Sequence, residues 1–167
     1  MCDRARAGGG RPARPDSLQV VVDADCLIAG TLAEQGAAAR VLDLWQDGQF
    51  EIIACPQLVA EVTQALLDPR ISRRYSITPE EVDELTGRLR EDALFRADPQ
   101  EPPRVVPNDP NDDYLVALAL RNDADALNTR DKHFDAVAVP GLRILTPRAF
   151  LKELGVEPGG PAMDRTS

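Results

Sequence analysis

The chain has 167 residues, 43% of them hydrophobic, and a formal net charge of −9. This size and apolar content suit one domain with a real core, and they exclude a disordered chain or two ordinary domains. The longest apolar runs, such as Val20-Val21-Val22 and Ile52-Ile53-Ala54, fall far short of the ~20 residues of a membrane helix, and no signal-type apolar stretch follows the arginine-rich N-terminus, so no membrane partner and a cytoplasmic location are expected.

The three cysteines, Cys2, Cys26 and Cys55, form no CxxC pair, which argues against a disulfide framework or zinc knuckle. The single histidine, His133, rules out a hydrolase built on a histidine pair. The acidic total does not exclude nucleic acid, because location matters more than sum. Nearly all basic residues are arginine, the lysines being Lys132 and Lys152, and arginine holds phosphate in a bidentate manner.

Residues 1–16, rich in Gly, Pro and Arg, read as a flexible arm, 17–155 as the folded domain, and 156–167 as a flexible tail. Leu18–Val22 forms a short apolar β-type run. Ala37, Ala38, Val41, Leu42 and Trp45 then repeat at helical spacing, with Trp45 as a core anchor. Phe50–Ala54 is the second strand, and Pro56 opens a helix carrying Leu58, Val59, Val62 and Leu66.

Thr78-Pro79-Glu80-Glu81 is a capping-box helix start. Arg104-Val105-Val106 is expected as the third strand, and Asp109-Pro110 as the start of a helix whose apolar positions are Leu115, Val116, Ala119 and Leu120. Ala124–Thr129 and Arg143–Leu145 read as strands four and five, the latter followed by the capped start Thr146-Pro147. Alternating strands and helices predict an α/β fold with a parallel sheet covered by helices on both faces, and a site outside the carboxyl ends of its strands.

Four acids test that rule. Asp23 follows the first strand, Glu61 lies on the helix after the second, Asp112 sits in the first turn of the helix after the third, and Asp131 lies just beyond the fourth. The topology brings them to one edge of the sheet, where crowded carboxylates repel. A hard divalent cation, Mg²⁺ or Mn²⁺ as one or two ions, relieves that repulsion and makes water a better nucleophile toward a phosphodiester. Taken singly, each acid is also an ordinary cap or surface charge.

These segments resemble the PIN-domain family, and in particular the VapC-like toxins of toxin–antitoxin modules, over roughly Leu18–Leu154. Val20–Ile28 resembles the opening strand with its first metal-binding Asp. Pro56–Val62 resembles the helix bearing the second acid, Asp109–Ala119 the third motif, and Thr129–Phe134 the last. The resemblance implies a three-layer fold around a central parallel sheet of four or five strands. It makes Asp23, Glu61, Asp112 and Asp131 metal ligands, with Thr129 supporting Asp131. Ala119, seven residues on, selects Asp112, with Asp113 as second choice. It further implies a metal-dependent endoribonuclease, a cognate antitoxin and a homodimer.

One departure stands out: the family usually has Asn where this chain has Asp25, which adds a further acid beside the metal. The same change creates a DxD pattern typical of haloacid-dehalogenase-like phosphatases, the rival enzyme. Leu27 and the shortage of lysines fit that rival poorly. An inactive PIN-like module that only binds a partner is the non-enzymatic alternative. For RNA contacts, the candidates are Arg73 and Arg74, within the cluster Arg70–Tyr75, together with Arg130 and Lys132 beside Asp131. His133 reads as a packing or surface residue.

Overall fold

The computed structural model describes residues 17–33, 35–102, 113–131, 134 and 139–156. Its sheet contains β1 (Gln19–Val22), β2 (Glu51–Ala54), β3 (Leu94–Phe95), β4 (Ala126–Asn128) and β5 (Arg143–Leu145), in the order β3-β2-β1-β4-β5. Every neighbouring pair is parallel. Val20, Val21, Val22, Ile52, Ile53 and Leu127 are all buried. Unbroken apolar runs of this kind mark strands covered on both faces.

The connecting helices are α1 (Ala24–Leu32), α2 (Ala37–Gln46), α3 (Pro56–Leu67), α4 (Pro69–Tyr75), α5 (Pro79–Glu91), α6 (Asp113–Arg121) and α7 (Pro147–Glu153). Helix α1 packs against α2 and α3, α3 against α5, and α2 against α7. Helix α6 packs against β1 and β4. The start of β2 is tied to α7 by Phe50 and Phe150, whose rings meet edge to face at 5.0 Å.

The helix starts follow local chemistry. Thr78 accepts from the Glu81 amide at 3.1 Å while the Glu81 carboxylate accepts from the Thr78 amide at 2.9 Å, so the expected capping box is complete. Thr146 caps α7 by accepting from the Ala149 amide at 3.1 Å. Proline occupies the first turn of α3 and α7, where its missing N–H costs nothing.

The structure departs from the expected elements in three places. The third strand is Leu94–Phe95, directly after α5; Arg104–Val106 lies outside the described residues. Helix α1 leaves no signature in the sequence pattern, because Ala24–Leu32 is apolar nearly all round and carries no amphipathic stripe. On α6, every residue from Asp113 to Ala119 is buried, whereas Leu120, expected inside, is exposed.

The strand order fixes where a site can form. The chain moves from β1 through β2 to β3 on one side, then crosses to place β4 and β5 on the other. The reversal lies between β1 and β4, and open parallel sheets hold their sites outside the strand ends at such a switch point.

Candidate active site

Asp23 is the first residue past β1 and caps α1: its Oδ1 accepts from the Cys26 amide at 2.8 Å. Its own amide donates to the Asn128 carbonyl at 3.0 Å, which fixes its backbone to the end of β4. Its Oδ2 accepts from the hydroxyl of Thr129, the residue after β4. That same hydroxyl oxygen accepts from the Asp131 amide at 3.0 Å. One threonine thus orients Asp23 with its proton and the backbone of Asp131 with its lone pair.

Asp23 is only 4% exposed. Burial pushes its carboxyl above the ordinary value, and nearby Asp25 adds to the rise, while the bonds from Thr129 and Cys26 oppose it. A buried carboxylate with this bias gains from a counter-charge. Burial likewise drives the Cys26 thiol up, with Asp23 adding to the effect. Burial pushes the Cys55 thiol up to about 12. Both cysteines are free and buried, and they behave as small apolar residues rather than nucleophiles.

Glu61 is half-buried on α3. Its Oε1 accepts from the Tyr114 hydroxyl at 2.6 Å, a bond between α3 and α6 spanning 53 residues. A distance this short is typical of a hydroxyl donating to a charged carboxylate. Asp131, two residues after Thr129 in the last motif, is half-buried.

The other expected residues divide between inside and outside. Asp113 is buried in the first turn of α6, next to Asp112, which lies outside the described residues together with Lys132 and His133. Asp25 is exposed in the first turn of α1, within electrostatic range of Asp23. Arg130 is exposed and lies within electrostatic range of Cys26, beside the same helix start. Arg73 and Arg74 are exposed on α4, and the Arg74 guanidinium sits 5.6 Å from the Tyr75 ring centroid. Arg70 is engaged with Asp68 at 2.9 Å.

The oxygen donors suit a hard divalent cation. Among the described residues, however, no group of three or more His, Cys, Asp or Glu side chains converges as a metal cage. The structure brings Asp23, Thr129 and Asp131 together, and joins Glu61 to Tyr114. Asp112 belongs to the segment ahead of α6 that is not described.

A family model described as "PIN domain" matches residues 19–133, more than half of the chain. The chain belongs to the PIN-domain family. PIN domains are generally metal-dependent nucleases. No curated protein matches the chain. Among solved structures, the PIN domain of T. brucei RRP44 is similar at 16% identity, with 84% of this chain and 81% of that chain covered and a TM-score of 0.44; a likeness this distant says nothing about activity.

Membership in the PIN-domain family argues against the phosphatase rival; Asp23 is buried while Asp25 is exposed in the first turn of α1. No helix among the described residues is long and apolar enough to cross a membrane.

Two residues of this site escape a reading of the sequence. Tyr114 reads as one more apolar position of α6, and only its place two residues after Asp112 hints at the site. Asn128 is fully buried at the end of β4, and neither of its side-chain atoms finds a hydrogen-bond partner among the described residues. A polar residue ending an otherwise apolar strand is the available signal, since buried amides normally find partners.

Proposed function

We propose that this PIN domain is a Mg²⁺- or Mn²⁺-dependent endoribonuclease and the toxin of a toxin–antitoxin module. The observation that carries the nuclease reading is the Asp23–Thr129–Asp131 unit at the switch point of the sheet. It fixes the Asp23 carboxylate and the backbone of Asp131 at two strand ends, and Asp23 is buried enough to favour a cation.

Asp23, Glu61, Asp112 and Asp131 would hold the cation, taken up as one or two ions, with Asp25 and Asp113 as further acids nearby. When bound, it would supply an activated water nucleophile and offset charge on the phosphodiester. Thr129 and Tyr114 keep Asp23 and Glu61 in register. Arg73, Arg74, Arg130 and Lys132 provide the positive charge that draws the RNA backbone toward an otherwise acidic protein. The order of the four acidic motifs, similar to that of VapC-like toxins, supports the toxin reading, with a cognate antitoxin and a second copy of the chain as partners.

The test is RNA cleavage by the full chain with Mg²⁺, with Mn²⁺ and with EDTA, beside the Asp23→Asn and Asp131→Asn variants. Cleavage should need metal and fall about 100-fold or more in either variant. If neither metal supports cleavage of any RNA and neither raises the melting temperature, the nuclease reading is wrong. Induced expression should arrest growth, with relief by a small neighbouring gene product; cleavage without arrest would leave the nuclease and remove the toxin.

A further inference from the structure

A second feature adjoins the acids. Between the end of β4 and the outer strand β5 lies a cavity of about 550 Å³. This falls in the range of small-ligand sites and exceeds what a few waters require. Phe134, Leu142 and Ile144 give it an apolar lining, and Thr129, Arg130 and Asp131 a polar one. Thr129 and Asp131 therefore belong both to the acidic unit and to the cavity. Whatever enters the cavity lies beside Thr129 and Asp131.

We propose that this cavity receives the nucleobase of the nucleotide beside the cleaved phosphate. The inference rests on the nuclease reading and names how that site holds its substrate. A nucleobase has two flat apolar faces and a polar edge, and it hangs from an anionic backbone. The cavity lining supplies the counterparts: the apolar Phe134, Leu142 and Ile144, the Asp131 carboxylate, and the exposed Arg130 guanidinium, suited to the phosphate. An apolar peptide side chain would find the lining but would have no use for the guanidinium and the Asp131 carboxylate beside it. A base locked in a duplex cannot turn into a cavity, whereas an unstacked base in a single strand or loop can. The cavity thus confers a base preference at one position of the strand.

Abasic scanning tests this. A labelled single-stranded RNA containing the cleavage site is compared with copies that lack one base at a time, for binding in Ca²⁺ and for kcat/KM in Mn²⁺. One abasic position next to the cut should weaken binding about tenfold or more, with the other positions changing less than about twofold. Val139→Trp, which adds bulk to a half-buried lining residue, should weaken the intact RNA by the same factor and erase the abasic effect. If that variant does not fold, Ile144→Phe replaces it, and the scan on the wild-type protein stands without either.

A flat scan in a protein that cleaves RNA overturns the base cavity and leaves the nuclease intact. Additive losses from the abasic site and Val139→Trp overturn it as well. Equal cleavage of duplex and single strand does the same. A protein that neither binds nor cuts any RNA removes both readings.

Discussion

The Thr129 hydroxyl donates to Asp23 across 106 residues of sequence, tying together the ends of β1 and β4. Losing it removes the donor from a buried carboxylate, a change that typically costs about 1–3 kcal/mol. Thr129→Val should lower stability by that amount and reduce metal-dependent cleavage about 10–100-fold. Thr129→Ser should restore most of both. Denaturant melts and cleavage rates on the two variants decide it; a valine variant with full activity would show that the hydroxyl is dispensable.

Asp23 should make stability depend on pH and metal. Burial raises its folded-state pKa above the ordinary 3.8, so the folded chain holds the proton more tightly than the unfolded chain. In EDTA, stability should therefore fall as pH rises from 3.8 through the folded value, and return on acidification. Asp23→Asn should flatten that slope and raise the metal-free melting temperature at neutral pH, while abolishing the gain from Mn²⁺. Thermal melts with and without Mn²⁺ across pH read all three; an unchanged slope in the variant would mean that other groups dominate.

The phenol of Tyr114 holds Glu61 at 2.6 Å. Tyr114→Phe keeps the buried ring and deletes only the hydroxyl, so the fold should lose about 1 kcal/mol. Mn²⁺ affinity should weaken about tenfold, measured by calorimetry without any substrate. Unchanged affinity would limit Tyr114 to packing.

A Cβ at Gly30 would sit 2.7 Å from the Ala38 carbonyl oxygen and 2.8 Å from Leu42 Cδ1. Alanine gains about 1 kcal/mol in helix propensity, but the neighbouring backbone cannot yield as a flexible side chain would, and overpacking costs about 1–3 kcal/mol. Gly30→Ala should therefore destabilise despite favouring the helix. A urea midpoint at or above that of the wild type would show that α1 and α2 part more easily than their packing suggests.

Helix α4 has no buried residue, so Arg73→Glu with Arg74→Glu should change stability by less than about 0.5 kcal/mol. RNA affinity should fall. Its dependence on salt should become shallower, by roughly 0.7 in log–log slope for each phosphate of a single strand that the variant no longer neutralises. Filter binding between low and high salt measures this; an unaltered slope places the RNA elsewhere.

What is legible in the sequence depends on how local each signal is. The valine run of β1, the isoleucines of β2 and the Thr78 capping box are written in adjacent residues, and each forms as expected. Helix α1 hides because its apolar residues surround it. Strand β3 hides because Leu94–Phe95 is only two residues long and Arg104–Val106 looks more like a strand. At the site, Asp23 and Thr129 can be paired only through the order of the motifs, since no spacing rule links residues so far apart. The Tyr114–Glu61 bond needs the packing of α6 and α3, which periodicity does not report. The cavity arises where β4 and β5 run side by side, and its lining is scattered over residues 129–146.

The arrangement of β1 and β4 also bears on synthesis. Asp23 is synthesised 106 residues before its partner Thr129. At about 5–20 residues per second, a nascent chain spends several seconds carrying an acid with no Thr129 to orient it. A chain that stops before Thr129 lacks the hydroxyl that donates to Asp23. The two halves of this pairing are joined only once the fourth strand has been made.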